Sequence, residues 1–249
     1  MTVIKSTAEV ESMRRAGRIV ARVLERLKNE IRPGIRTKLL DSIAEEELKK
    51  NGARASFKGY HGYPASLCVS INEEIVHGIP GERKLEEGDI VSLDFGAFVE
   101  GFHGDSAITV GVGKISTVAQ QLLSTAEAAL MIGIEAARCS ARLGDLSAAI
   151  QGHVEGSGFT VVREYCGHGI GRALHEDPQV PNFGIAGNGP LLIEGMTLAI
   201  EPMVTSGDWR TQVDGVNSWT VRTADGSLAA HFEHTIAIGY NGTEILTVI

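Results

Sequence analysis

Only three cysteines occur in the 249 residues, Cys68, Cys139 and Cys166, far apart and odd in number. They form no CxxC pair and no disulfide framework, so a reducing cytosol is the expected compartment. Positive charge is also short: Lys and Arg number 23 against 31 Asp and Glu, a net charge of −8. A surface that grips nucleic acid or an anionic membrane needs the opposite balance. No apolar run approaches the ~18–20 residues that span a bilayer. Met1-Thr2-Val3-Ile4-Lys5 does not open a secretory signal. Neither nucleic acid nor membrane is expected as a partner. No GxGxxG opens a helix after a first strand, which argues against a doubly wound sheet.

What is abundant is glycine, 30 of 249 residues, spread through the middle and C-terminal part rather than gathered in a linker. The length suits one large domain or two small ones, and residues 1–249 are read as one catalytic unit. Ser6-Thr7-Ala8-Glu9 has the form of a capping box. Val10, Met13, Gly17, Val20, Leu24 and Leu27 follow at steps of three and four, predicting an amphipathic helix that Pro33-Gly34 ends. A second helix is expected from Thr37 to Asn51-Gly52, a third capped at Thr117 and running to about Arg138, and a fourth over Leu143–Gly156. Period-two patterning predicts a strand over 67–76, a hairpin over 90–110, and strands near 159–165, 197–204, 228–238 and 243–248. Helices and strands mix without a βαβ rhythm, which makes the fold class α+β. A weak internal echo runs through it. Glu87-Gly88 precedes Asp94 by the same interval at which Glu194-Gly195 precedes Glu201, so a pseudo-twofold fold would bring two strand ends together.

Apolar strands seldom carry acids, because a buried charge is costly unless something pairs it. Four acids break that rule: Asp94 after Ile90-Val91-Ser92-Leu93, Asp105 within Phe102–Ile108, Glu201 after Thr197-Leu198-Ala199-Ile200, and Glu233 within Ala229–Ile236. If Glu100-Gly101 is a two-residue turn, Asp94 pairs with Ala107. Asp105 is then its diagonal neighbour on the same sheet face, with Cα atoms ~7–8 Å apart. A three-residue loop would put the two on opposite faces. Any one of the acids alone fits an exposed edge strand about as well, but four do not. His168 is bracketed by Gly167 and Gly169, which let the backbone approach closely, and His175 follows seven residues on. Two Asp, two Glu and one His balance two divalent cations, as in two-metal hydrolysis. Mostly oxygen ligands favour Mn, Fe(II) or Co, and zinc remains compatible.

Longer motifs carry a resemblance. Tyr60–Glu73 (YHGYPASLCVSINE), Val76-His77-Gly78-Ile79-Pro80, Asp94-Phe95-Gly96, Gly101–Asp105, Gly167-His168-Gly169-Ile170-Gly171, Ile200-Glu201-Pro202 and Phe232-Glu233-His234-Thr235 resemble the methionine aminopeptidases of type I, in their short bacterial form. The resemblance covers nearly the whole chain. It implies the pita-bread fold, with internal pseudo-twofold symmetry and a dinuclear metal site between its halves. It also implies removal of an N-terminal methionine that precedes a small residue. The ligands it implies are Asp94, Asp105, His168, Glu201 and Glu233, with Asp105 and Glu233 shared by both ions. His77 would contact the scissile amide, His175 would stabilise the oxyanion, and Glu201 would shuttle the proton. A pocket for the methionine side chain would match Phe57, Tyr60, Tyr63, Cys68, Leu174 and Trp219. The chain departs from the familiar pattern at Phe57, often smaller, and Leu174, often Phe, which bears on pocket breadth. The implied partner is a peptide or nascent chain that begins with Met, acted on by a cytoplasmic monomer, with ribosome proximity left open. His103 and His234, next to ligands, are either outer partners of the centre or local hydrogen-bonding residues. Two other readings stand beside this one: a proline-specific peptidase of the same fold, and a non-catalytic peptide-binding module on it.

Overall fold

The computed structural model describes residues 2–249. Ser6 opens the first helix by a reciprocal cap: its Oγ accepts from the Glu9 N–H at 3.4 Å and the Glu9 carboxylate accepts from the Ser6 N–H at 2.9 Å. Helix α1 (Thr7–Glu30) buries Met13, Gly17, Val20, Leu24 and Leu27, with Ala16, Ile19 and Val23 beside them. Helix α2 spans Thr37–Lys50, α3 spans Thr117–Ala136 and α4 spans Leu143–Gly156. The cap of α3 is Ser116, one residue before the expected Thr117, and its Oγ accepts from the Ala119 N–H at 3.1 Å.

The strands are short apart from one hairpin. They are β1 (Arg54–Ala55), β2 (Leu67–Ile71), β3 (Glu74–Val76), β4 (Ile90–Val99), β5 (Phe102–Gly111), β6 (Thr160–Val161), β7 (Gly167–Gly169), β8 (Glu176–Val180), β9 (Thr197–Ile200), β10 (Met203–Thr205), β11 (Thr211–Val213), β12 (Val221–Thr223), β13 (Ala229–His231), β14 (Glu233–Gly239) and β15 (Gly242–Ile245). The largest sheet runs β1-β4-β5-β14-β9-β7-β8, with β2 beside β4 and β15 beside β14. Two three-stranded sheets, β13-β10-β6 and β11-β12-β3, complete the strand structure of the described residues.

Three expected strands are each two. The run over 67–76 breaks at Asn72, where φ is 58°. The run over 197–204 breaks at Glu201-Pro202, because proline offers no N–H to the ladder. The run over 228–238 breaks at Phe232. In the last two cases the chain leaves the large sheet on one side of the break and joins the β13-β10-β6 sheet on the other. Glu201 and Glu233 stand at these crossings.

The two largest apolar clusters lie side by side against one face of the large sheet. One gathers α1 and α2 residues such as Val20, Leu27 and Leu40 with Val69, Leu93 and Phe95; the other gathers Leu122, Leu130, Leu146 and Ile150 of α3 and α4 with Leu198, Ile200 and Ile236. The seam between them is the β5–β14 pair. On one side α1 presses so close that a Cβ on Gly17 would lie 2.2 Å from the Leu246 carbonyl oxygen, and one on Gly104 would lie 2.8 Å from the Gly17 nitrogen. Gly17→Ala gains about 1 kcal/mol of helix propensity, yet the forced backbone shift costs about 1–3 kcal/mol. The expected outcome is a lower denaturation midpoint, read by urea titration. A rise would show that the contact is slack.

Candidate metal centre

The hairpin turn decides where the first two acids point. Glu100 and Gly101 have φ of 52° and 85°, the pair of left-handed residues that a two-residue turn requires. Val99 therefore pairs with Phe102, Asp94 with Ala107 and Gly96 with Asp105, which puts Asp94 and Asp105 on one face. On the other side of β5, Ala107 pairs with Glu233. Asp94, Ala107 and Glu233 thus form one row across three strands, and the alanine leaves space between two carboxylates. His168 on β7 pairs with Ala199 of β9, two residues before Glu201. Its flanking glycines have a reason beyond openness: a Cβ on Gly167 would meet the Ala199 carbonyl oxygen at 2.3 Å, and one on Gly169 the Asp177 carbonyl oxygen at 2.2 Å.

Ligand-type atoms of Asp105, His168 and Glu233 lie within 4.8 Å of one another. Glu201 Oε1 lies 3.6 Å from His168 Nε2, and Asp94 lines the same cavity, of about 300 Å³. His168 Nδ1 faces the Gly169 carbonyl oxygen at 2.8 Å. A carbonyl can only accept, so Nδ1 carries the proton and Nε2 offers a lone pair toward the acids. Burial holds the His168 pKa down at about 3, so the ring is neutral.

Among the described residues, no lysine or arginine pairs with Asp94, Asp105, Glu201 or Glu233. Asp94 Oδ1, Asp105 Oδ1 and Glu233 Oε1 are buried without a hydrogen-bond partner. Burial, reinforced by the neighbouring acids, raises the Asp94 carboxyl to about 7 and pushes Asp105 and Glu233 well above the carboxylate range. Burial alone raises Glu201 to about 8. Orphaned acceptors around an imidazole lone pair are the donor set of a hard divalent cation, so these residues fit the metal that the sequence suggests.

Above the acids stand two further histidines. His77 has φ of 60°, a strained conformation for a residue with a Cβ, and burial lowers its pKa to about 4. His175 stacks edge-on against His168, with centroids 4.2 Å apart, and its Nδ1 is 2.7 Å from the Tyr60 hydroxyl. Phe57, Tyr60, Tyr63, Cys68, Leu174 and Trp219 line the same cavity. Trp219 meets Tyr63 edge-on at 5.2 Å, and the Tyr63 hydroxyl donates to the Gly78 carbonyl at 2.8 Å.

All thirteen residues singled out from the sequence as ligands, catalytic groups or pocket wall border this one cavity. It also includes Cys166, Met203, Tyr165, Val76 and His61. Period two marks the first two of these, since Cys166 and Met203 sit two positions from His168 and Glu201. His231, two before Glu233, has Nε2 3.7 Å from Glu201 Oε2. His103 and His234 turn elsewhere, to Ser56 Oγ at 2.9 Å and Thr247 Oγ1 at 2.7 Å.

Raised carboxyl pKa values mean that the native chain without cations holds protons that the unfolded chain releases, so its stability falls as pH rises. Chelated protein is expected to lose thermal stability between about pH 7 and about pH 9, where histidines of the unfolded chain are already neutral. Added divalent cation is expected to remove that slope. A melting temperature that stays flat or climbs in the chelated protein would contradict the gathering of acids described above.

The chain matches the model of metallopeptidase family M24 over residues 11–239. It is 53% identical over 251 residues to a methionine aminopeptidase of Clostridium perfringens, covering 100% of both chains. It is 54% identical to methionine aminopeptidase 1 of Bacillus subtilis, covering 99% of each. The crystal structure of the Thermotoga maritima methionine aminopeptidase superposes with a TM-score of 0.98, at 48% identity and full coverage of both chains. A prolidase of Pyrococcus furiosus shares the fold alone, with a TM-score of 0.81 at 22% identity; all of this chain covers 66% of that one. The chain belongs to metallopeptidase family M24, with its pita-bread fold, and within that family to the short bacterial methionine aminopeptidases of type I.

Proposed function

We infer that this protein is a metal-dependent aminopeptidase that removes the initiator methionine from proteins and peptides. The observation that carries the reading is the set of unpaired, buried carboxylates facing the His168 lone pair beneath an apolar wall. Asp94, Asp105, His168, Glu201 and Glu233 would hold two divalent ions. Asp105 and Glu233 would be shared, Asp94 would serve one ion, and His168 with Glu201 the other. Mn, Fe(II), Co and Zn all suit this donor set. When bound, such ions lower the pKa of a water and polarise a carbonyl oxygen.

The chain's own groups do the rest. Glu201, whose carboxylate borders the cavity, would accept the proton of the attacking water and return it toward the leaving nitrogen. His77 is neutral at physiological pH and borders the cavity as an N–H donor to the scissile amide. His175, held by Tyr60, offers its other ring nitrogen to the developing oxyanion. Phe57, Tyr60, Tyr63, Cys68, Leu174 and Trp219 receive the methionine side chain, whose sulfur gains from aromatic edges. We take residues 1–249 as one catalytic unit, working as a monomer in the cytoplasm on chains emerging near the ribosome.

A peptide panel tests the reaction: cleavage of Met-Gly peptides and not of Xaa-Pro peptides is expected, and the reverse would make the enzyme proline-specific. Asp105→Ala and Glu233→Ala are expected to abolish nearly all turnover. His175→Ala should lower kcat by about 10²–10³-fold while the metal content stays close to that of the native protein. Full activity in Asp105→Ala would refute the assignment. A chain that stays inactive with Mn, Fe(II) or Co added would be a binding module.

A further inference from the structure

One buried side chain at the centre has no task in this scheme. His231 is 1% exposed, and neither of its ring nitrogens has a hydrogen-bond partner among the described residues. Native structures rarely leave such a group unsatisfied without a reason. Its backbone is fixed from both sides. The His231 N–H donates to Thr109 Oγ1 at 2.9 Å, and the Thr109 hydroxyl donates back to the His231 carbonyl at 2.7 Å. Because that hydroxyl has spent its proton, Ser92 Oγ, 2.8 Å away, is the donor in the Ser92–Thr109 contact. The strand pairing of His231 with Met203 brings it beside the Glu201-Pro202 crossing.

The ring lies against Glu201, whose two oxygens are divided between two imidazoles. Oε1 faces His168 Nε2 at 3.6 Å and Oε2 faces His231 Nε2 at 3.7 Å. The first contact joins a carboxylate oxygen to a lone pair, since His168 Nδ1 carries that ring's proton, so it is favourable only with a proton or a cation between them. The second contact is favourable when His231 carries its proton on Nε2. The main chain of Glu201 is pinned separately, by Asn182 Nδ2 donating to its carbonyl at 3.0 Å, which leaves the carboxylate torsion as the freedom still to be set.

We propose that His231 is a positioning residue for Glu201: its Nε2–H closes onto Oε2 and keeps Oε1 turned toward His168 and the cation between them. The proposal rests on the reading of Glu201 as ligand and proton carrier. It assigns His231 no place among the ligands themselves. A ring that orients one ligand carboxylate affects metal affinity and turnover together, by about 10–100-fold for partners of this kind.

The test compares His231→Leu, which removes the donor, with His231→Gln, whose amide nitrogen reaches nearly as far as Nε2. In His231→Leu, kcat is expected to fall by about 10–100-fold with KM little changed. Calorimetric titration of chelator-stripped protein with Mn²⁺ should show the same number of ions bound and one of them weaker. His231→Gln should recover most of both losses. Unchanged kcat and affinity in His231→Leu would overturn the proposal. So would the loss of a whole ion in both variants, which would make His231 a ligand. Should His231→Leu fail to fold, nitrogen-15 spectra of histidine-labelled native protein decide the matter. A proton on Nε2 supports the proposal, and a ring protonated on Nδ1 alone overturns it. Glu201→Gln, measured alongside, separates the two levels: if it retains full turnover, the reading of Glu201 fails whatever His231 does.

Discussion

Four carboxylates that no lysine or arginine among the described residues neutralises line one cavity, and the remaining architecture serves to hold them there. Ionised and unpaired, they would repel one another in a setting with little water to screen the charge. The chain meets that cost chiefly with two large apolar clusters behind the sheet. The α1–α2 layer supports the strands that carry Asp94 and Asp105, and the α3–α4 layer supports those that lead to Glu201 and Glu233. The seam of the molecule, the β5–β14 pair, is where the acids converge. A cation bound there acts as a stabilising partner of the native state as well as a reagent.

The large sheet does more than present residues on a pleated face. At Glu201-Pro202 the chain leaves it for the small β13-β10-β6 sheet, and at Phe232 it returns. Each crossing ends a ladder beside an acid, so that Glu201 and Glu233 sit where backbone pairing stops and side chains turn inward. His231 enters on the small-sheet side of one crossing and meets Glu201 at the other.

Much of this was legible in the residues. The capping box of α1, the extent of α4 and the hairpin register follow from local rules that tertiary context did not override. The row Asp94–Ala107–Glu233 is half contained in that register. The ligand set and the pocket wall came from motif resemblance, and the fold brings those residues to one cavity. What sequence patterning missed has physical causes. The strand Glu176–Val180 carries Asp177 and Pro178 and shows no alternation, because its place is set by pairing with Gly167–Gly169. The splitting of the 197–204 and 228–238 runs was hidden because both sides of each break are apolar. Only Pro202 hinted at it. Nothing local in the sequence distinguishes His231; its meaning comes from a carboxylate thirty positions earlier.

The β5–β14 seam also has a temporal side. A chain made from its N-terminus completes the β4–β5 hairpin long before Glu233 exists, so Asp94 and Asp105 come together while the other three residues of the cluster, His168, Glu201 and Glu233, are still to be synthesised. Pairing across such sequence separation is intrinsically slow. The hairpin must therefore wait with two protonated or water-exposed acids, and the catalytic centre is among the last features of the molecule to close.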